Sequence, residues 1–256
     1  LYAAMLDNGT ALPAMLFPDV PTYYRDFTPH NYNRTFDGAV PADRVVERSL
    51  NVPSVRMLDK YGKENFLALV RALGFGTIDR SAAHYGLSLI LGGAEISLWD
   101  LTSAYMKLAA KLNGRQTIRT PHYDPDGGTA VDAGDIPLSR GAIWLMANSI
   151  SHVARPEEEG EWQYFSSSKK IGWKTGTSYG NRDAWAVGMT PDYAVGVWVG
   201  NCTGEGRPLM TGVGYAAPVL FEVFGLLPKG EWFAEPVGDL EPACLLYTSD
   251  AADDMQ

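Results

Sequence analysis

The most informative stretch of this chain is Gly172-Trp173-Lys174-Thr175-Gly176-Thr177-Ser178, because it is predicted to be a strand and carries residues that can bind an anion. Side chains alternate along a strand, so Thr175 and Thr177 are predicted to present hydroxyls on one face. Lys174 supplies a positive charge, and Gly176 leaves the backbone open to close approach. A carboxylate lying against this edge would meet charge, hydroxyls and backbone N–H groups together. The alternative is a solvated edge strand whose lysine only blocks aggregation.

The flanking sequence predicts an α+β fold with one small antiparallel sheet. Strands are predicted over 170–178, 183–189 and 193–199, and Thr190-Pro191-Asp192 is a turn sequence between the last two. We expect only these three strands, apart from short extended pieces in the polar, glycine-rich loop predicted over 115–137. Apolar periodicity and capping residues predict helices over 1–6, 41–48, 53–60, 63–73, 97–112, 140–152 and 216–227. Residues 10–40 are proline-rich and are predicted to form a long surface segment packed by its aromatic side chains.

Composition excludes several function classes. The net charge of −9 and the pI near 4.9, without a basic stripe, argue against nucleic acid as a partner. The two cysteines, Cys202 and Cys244, set neither a disulfide framework nor a metal site, and no cofactor is predicted. The longest apolar runs fall far short of a membrane span. The chain opens inside a predicted helix without an initiator methionine, so we expect it to be a fragment of a longer protein.

A second motif, Ser49-Leu50-Asn51, lies between two predicted helices and is followed by Val52-Pro53. By itself the motif is weak, because Ser-x-Asn recurs by chance about once in every few hundred residues. The alternative is that Ser49 caps a helix and Asn51 is a turn residue.

Taken together, the motifs and their contexts resemble the transpeptidase domain of class A penicillin-binding proteins. The resemblance covers roughly residues 1–226 and is carried by Arg48-Ser49-Leu50-Asn51-Val52-Pro53-Ser54-Val55, Leu89-Ile90-Leu91-Gly92-Gly93, Trp173-Lys174-Thr175-Gly176-Thr177-Ser178-Tyr179-Gly180 and Arg182-Asp183-Ala184-Trp185-Ala186. It implies a penicillin-binding/β-lactamase-like fold whose N-terminal strands and nucleophile helix start are missing here. Residues 1–226 are then a partial transpeptidase domain, 227–243 a linker or the start of a C-terminal region, and 244–256 a tail foreign to the domain.

The family works with three motifs, Ser-x-x-Lys, Ser-x-Asn and Lys-Thr-Gly. The first motif, which holds the nucleophile, is expected ahead of Leu1, so this chain is predicted to contain no nucleophile. Formal Ser-x-x-Lys matches occur only within residues 166–170, in a polar serine run on the wrong side of Ser-x-Asn.

The resemblance also implies a role for each of the remaining motif residues. Ser49 would relay a proton to the leaving amine, and Asn51 would hold the amide of the peptide. Lys174 would stabilise charge. Thr175 and Thr177 would bind the terminal carboxylate beside Gly176, and the Thr177 N–H would form half of the oxyanion hole.

The implied activity is that of a peptidoglycan D,D-transpeptidase, which cross-links D-Ala-D-Ala stem peptides and is acylated by β-lactams. The fragment itself is expected to be inactive. The parent is expected to be membrane-anchored and extracytoplasmic, with a glycosyltransferase domain upstream. One alternative is another use of the same fold, as a D,D-carboxypeptidase, a β-lactamase or a β-lactam sensor. The other is a non-catalytic module that binds peptide or partner proteins.

Overall fold

The computed structural model describes residues 1–25, 27–119, 130–132, 134–156 and 169–241 of the chain. Its helices are α1 (Tyr2–Asp7), α2 (Ala42–Glu47), α3 (Asn51–Tyr61), α4 (Lys63–Ala72), α5 (Ala82–Tyr85), α6 (Leu98–Leu112), α7 (Arg140–Ile150) and α8 (Ala217–Leu226). Its strands are β1 (Leu16–Asp19), β2 (Gly38–Pro41), β3 (Thr117–Arg119), β4 (Ala130–Asp132), β5 (Gly172–Thr177), β6 (Asp183–Met189) and β7 (Ala194–Gly200). The mixture of helices and antiparallel sheets confirms the predicted α+β class.

The central sheet is an antiparallel meander in the order β5-β6-β7, as the sequence predicts. Thr175 lies opposite Ala186, which in turn lies opposite Val197. The turn between β6 and β7 is closed by the backbone of Thr190 and Tyr193, whose N and O atoms are 2.8 Å apart. Among the described strands, β5 pairs only with β6, so its outer edge is open along the Lys-Thr-Gly motif.

Two helices sandwich this sheet, and glycines in the strands allow their close approach. A side chain at Gly188 would meet Phe224 of α8 at 3.0 Å, and one at Gly196 would meet Thr102 of α6 at 2.0 Å. Trp173 is fully buried on the α8 face and packs edge-on against Phe221, with 4.9 Å between ring centroids. Because side chains alternate, Lys174 then points to the α6 face.

The expectation of no strands before residue 115 is wrong, because β1 and β2 lie there, whereas β3 and β4 lie within the loop 115–137 that is predicted to contain short extended pieces. β1 pairs with β2, and β3 pairs with β4, each as a separate two-stranded antiparallel sheet. These strands have only three or four residues each, too short for a period-two pattern to stand out. The β1–β2 pair is held by packing instead, since Phe17 and Val40 lie opposite each other and are both buried.

A second hydrophobic cluster lies beneath β1, β2 and helices α1 to α3. Its buried members are Tyr2, Met5, Ala11, Phe17, Val40, Ala42, Val45, Leu50 and Met57. The larger cluster fills the space between the central sheet and helices α4, α6, α7 and α8. The Ser-x-Asn motif therefore rests on one cluster and the Lys-Thr-Gly strand on the other.

Helix α3 begins at Asn51, two residues before the predicted start at Pro53. Pro53 is tolerated there because the first N–H groups of a helix have no partner within it. Helix α6 begins where predicted, with the Ser97 hydroxyl 3.0 Å from the Asp100 N–H. Beyond α8, Phe233 is buried and Asp239 packs its carbonyl against Gly141 of α7. The predicted tail 244–256 lies outside the described residues, and the domain division stays a prediction.

Candidate active site

The Ser49–Asn51 turn is formed by the end of one helix and the start of the next. After α2, the Ser49 N–H donates to the Val46 carbonyl at 3.2 Å, and the Leu50 N–H donates to the Val45 carbonyl at 3.0 Å. This pair of bonds is a Schellman motif, which needs a left-handed residue at the position of Ser49. Ser49 indeed has φ 58°, where glycine is the usual residue. The serine is therefore held in a strained backbone conformation, with buried Leu50 locking the turn from beneath.

Ser49 meets the Lys-Thr-Gly strand directly. The Lys174 Nζ donates to the Ser49 Oγ and also to the carbonyl oxygen of its neighbour Thr175, at 3.1 Å in the second case. Two residues separated by 125 positions thus share one hydrogen bond. Burial lowers the pKa of the Lys174 ammonium to about 8, because the charged form loses hydration. A lysine with this pKa can both give and take a proton near neutral pH.

Asn51 is fixed by the proline-rich segment that precedes β2. Its side-chain Nδ2 donates to the His30 carbonyl at 2.9 Å, which fixes the orientation of the amide. Within the described part of the chain no donor meets the Asn51 Oδ1, so this oxygen is available to accept from a ligand N–H. The His30 side chain is exposed, and it is the His30 backbone that takes part in the site.

Thr175 and Thr177 share a face of β5, as predicted, but that face is opposite Lys174. Both contact Gly212, which begins a π-helical turn (Gly212–Ala216) ahead of α8. The Gly212 N–H donates to the Thr177 Oγ1 at 3.0 Å, so the Thr177 hydroxyl hydrogen remains available for an acceptor. A side chain at Gly212 would meet the carbonyl oxygens of Gly176 and Trp185 at 2.6 Å each. Gly212 therefore lets the turn pack closely against β5 and β6.

Sequence reasoning missed the residues that hold this site from a distance, above all Asp19, Asn31 and Gly212. Each is unremarkable in its local sequence: an aspartate before a proline loop, an asparagine after a histidine, and a glycine in a glycine-rich run. In the sequence, only the many aromatic residues of the segment 10–40 indicate that it is ordered. What it contacts could not be inferred, because those contacts join residues about 20 positions apart.

Of the two formal Ser-x-x-Lys matches, the structure describes only the lysines. The serines of the formal Ser-x-x-Lys matches, Ser166 and Ser167, lie outside the described residues. Lys169, the lysine of the first match, donates to the Phe224 and Leu227 carbonyls at the end of α8. Among the described residues no group of His, Cys, Asp and Glu is placed to hold a metal ion. The described helices also include none that is long and apolar enough to cross a membrane.

Comparison with known proteins gives a consistent result. Residues 1–224 match the family described as "Penicillin binding protein transpeptidase domain". Penicillin-binding protein 1C of Escherichia coli is 34% identical over 230 residues, which are 89% of this chain and 28% of that protein. Penicillin-binding protein 1F of Bacillus subtilis is 29% identical over 229 residues, covering 84% of this chain and 31% of that protein. The chain thus spans less than a third of the length of these relatives.

Solved structures show the same fold. The crystal structure of penicillin-binding protein 1A from Haemophilus influenzae aligns over 92% of this chain and 42% of its own, with a TM-score of 0.69 and 16% identity. PonA1 from Mycobacterium tuberculosis, in complex with penicillin V, aligns over 90% of this chain and 68% of its own, with a TM-score of 0.67 and 20% identity.

Proposed function

Because the chain belongs to the penicillin-binding protein transpeptidase family, we propose that it supplies two of the three catalytic motifs of a peptidoglycan D,D-transpeptidase. The observation that carries this proposal is the hydrogen bond from Lys174 to Ser49. It joins Ser-x-Asn to Lys-Thr-Gly across 125 positions and so places the Lys174 cation beside the Ser49 hydroxyl, two residues before Asn51. A cation next to hydrogen-bonding side chains suits a peptide that ends in a carboxylate.

The substrate we propose is a stem peptide ending in D-Ala-D-Ala. Its terminal carboxylate would lie along the edge of β5 and accept from the hydroxyls of Thr175 and Thr177. The free hydrogen of Thr177 supports this, because Gly212 already occupies its acceptor side. An amide N–H of the peptide would donate to the Asn51 Oδ1, which has its Nδ2 tied to His30.

In the reaction that we propose for the parent protein, the nucleophilic serine of Ser-x-x-Lys forms an ester with the penultimate D-alanine carbonyl. Its proton goes to the lysine of that motif, and the terminal peptide bond breaks. The leaving amine of D-alanine takes a proton from Ser49, which Lys174 reprotonates. A pKa of about 8 suits Lys174 to this exchange. A second stem-peptide amine then attacks the ester and gives its proton through Ser49 to Lys174. The serine leaves with the proton held by the lysine of its motif, and a cross-link remains.

The setting follows from the same family relation. We propose that the parent acts outside the cytoplasm on the cell wall, is anchored to the membrane and carries a glycosyltransferase domain upstream. β-Lactams would acylate the same serine in place of the stem peptide.

Peptide binding tests the part of the site that this chain contains. We expect N,N′-diacetyl-L-lysyl-D-alanyl-D-alanine, titrated into the ¹⁵N-labelled chain, to shift the amide resonances of residues 174–177 and 49–51. The C-terminal amide of the same peptide should bind at least ~10-fold more weakly, because it lacks the carboxylate. Lys174→Met should abolish the shifts, whereas Lys170→Met, at a lysine that donates to Asn148 instead, should leave them unchanged. Equal binding of the acid and the amide would contradict the proposal.

Covalent labelling tests the assignment of the nucleophile. We expect no adduct between this chain and a fluorescent penicillin, because Ser-x-x-Lys occurs in it only within the serine run 166–170. A labelled band would show that one of the serines present here is the nucleophile. Repeating the assay with Ser49→Ala and Ser166→Ala/Ser167→Ala would then show which serine reacts.

A further inference from the structure

We infer that Asn31, held by the buried carboxylate of Asp19, is a positioning residue that sets the Ser49–Asn51 turn against Lys174. This inference rests on the proposed function, since it assigns Asn31 a part in peptide recognition without contact to the peptide. The residues involved, Asp19, Asn31, Asp37 and Arg48, are called the Asp19 clamp below.

Asn31 caps helix α3 from a distant loop. The residue at the N-cap position, Leu50, has no side-chain acceptor, so the first N–H groups of α3 need a partner from elsewhere. The Asn31 Oδ1 accepts from the Asn51 N–H at 3.0 Å and from the Val52 N–H at 3.1 Å. Asn31 is only 2% exposed, so water does not compete for these donors. The backbone of Asn51 is thereby fixed by a side chain 20 positions earlier.

The other end of Asn31 is held equally firmly. Its Nδ2 donates to the Asp19 Oδ1 at 2.7 Å and to the Thr35 carbonyl at 2.9 Å. Every hydrogen-bonding group of the Asn31 side chain is thus used. A residue so fully satisfied can adopt only one position, which makes it a rigid support for the helix start.

Asp19 also reaches the opposite flank of Ser49. Asp19 is fully buried at the end of β1, and its Oδ2 accepts from the Asp37 N–H at 3.0 Å. The Asp37 carboxylate in turn pairs with the Arg48 guanidinium, directly before Ser49. One buried carboxylate therefore supports Arg48 on one side of Ser49 and Asn51 on the other. Ser49 itself is strained at φ 58°, and a strained residue keeps its position only when its surroundings fix it.

The test uses Asn31→Ala, an exchanged pair and a matched control. The exchanged pair, Asp19→Asn/Asn31→Asp, keeps the net charge and reverses the direction of the hydrogen bond between the two side chains. The new asparagine can donate to the new aspartate and accept from the Asp37 N–H, and the aspartate can accept from the Asn51 and Val52 N–H groups. Only the Thr35 carbonyl loses its donor, because an aspartate cannot donate to it. The control is Thr22→Val, in the same segment of the chain. It removes a buried hydroxyl that accepts from the Arg56 guanidinium and does not contact the Ser49–Asn51 turn. The melting temperature of each variant is recorded.

Two measurements are made on each variant. The first is the ¹³C NMR titration of the Lys174 side chain, which reports the surroundings of its amine without any ligand. The second is the affinity for N,N′-diacetyl-L-lysyl-D-alanyl-D-alanine. We expect Asn31→Ala to move the Lys174 pKa from about 8 towards its ordinary value and to weaken peptide binding at least ~10-fold. The exchanged pair should recover part of both, since it restores every contact except that to Thr35, and Thr22→Val should change neither.

The outcomes separate this inference from the proposed function. If the wild-type chain does not bind the peptide, the proposed function fails, while the Lys174 titration still decides whether the clamp sets the turn. If Asn31→Ala lowers only the melting temperature, like Thr22→Val, Asn31 is merely structural and the inference is wrong. If Asn31→Ala changes the titration and the exchanged pair recovers none of that change, the assigned role of Asp19 is wrong.

Discussion

The two sides of the candidate site are built in opposite ways. The strand side, Gly172–Thr177, is one continuous segment whose backbone is held by its neighbour β6 over its whole length. The turn side, Ser49–Asn51, is three residues between two helices, held by side chains that come from residues 19–37. The first side depends on a regular ladder of backbone bonds. The second depends on two backbone bonds to α2 and a few side-chain contacts from a distant segment.

The difference teaches where each side is vulnerable. A ladder tolerates most side-chain changes, because its bonds are made by the backbone, but it does not tolerate steric intrusion. A side-chain clamp tolerates little, because each lost partner leaves a buried polar group unsatisfied, at a cost of about 1–3 kcal/mol. The three substitutions below test this contrast.

Intrusion on the strand side is expected to have the largest effect on stability. Gly212→Ala would place a methyl group 2.6 Å from two carbonyl oxygens, those of Gly176 and Trp185. We expect the free energy of unfolding to fall by about 2–3 kcal/mol, because the turn must move off the strand. Chemical denaturation measures this loss. Gly225→Ala is the control, since nothing lies within 4 Å of its new methyl group, and it should be neutral or stabilising.

A loss as small at Gly212 as at Gly225 would contradict the close packing of the turn on β5. A parallel loss of peptide binding in Gly212→Ala is also expected, because the Thr177 hydroxyl would lose the N–H that orients it.

The buried charge of the Lys174 ammonium is expected to lower the free energy of unfolding. The pKa of Lys174 is lowered from 10.5 to about 8 in the folded chain, so between these values the unfolded chain binds the proton more readily. The stability therefore rises with pH through this window, and the penalty is fully present below about pH 8. We expect Lys174→Met to raise the free energy of unfolding at pH 7 by about 1–2 kcal/mol, with allowance for solvent screening of this partly exposed group.

Denaturation at a series of pH values checks this expectation. The advantage of Lys174→Met over the wild type should shrink as the pH rises from 8 towards 10. A constant difference across that range would show that desolvation of the ammonium is not its source.

The strand side could be predicted from sequence because its information is local. Lys174, Thr175, Gly176 and Thr177 are adjacent, and β6 and β7 follow within a short meander. The meander, its turn and helix α6 with its Ser97 cap were predicted from the same kind of pattern, and the structure confirms them.

The sequence motif identifies the turn side, but it does not predict the contacts that hold the turn in place. The sequence predicts that α3 starts at Pro53, because proline is common at the first position of a helix. The actual start, at Asn51, is set by Asn31, which no local pattern connects to α3. The same reason explains the missed strands β1 and β2, whose pairing is decided by burial of Phe17 and Val40.

The smallest effect on stability is expected from the backbone of Ser49, where glycine should be more stable than alanine. Ser49 has φ 58°, a conformation that costs a residue with a Cβ about 1 kcal/mol relative to glycine. Ser49→Gly and Ser49→Ala both remove the hydroxyl that meets Lys174, so the difference between them reports the backbone alone. We expect the glycine variant to be the more stable of the two by about 0.5–1 kcal/mol. At Ser54, inside α3, the order should be reversed, because glycine weakens a helix. If glycine is the less stable variant at both positions, Ser49 is not strained, and the Asp19 clamp has no strained backbone to hold in place.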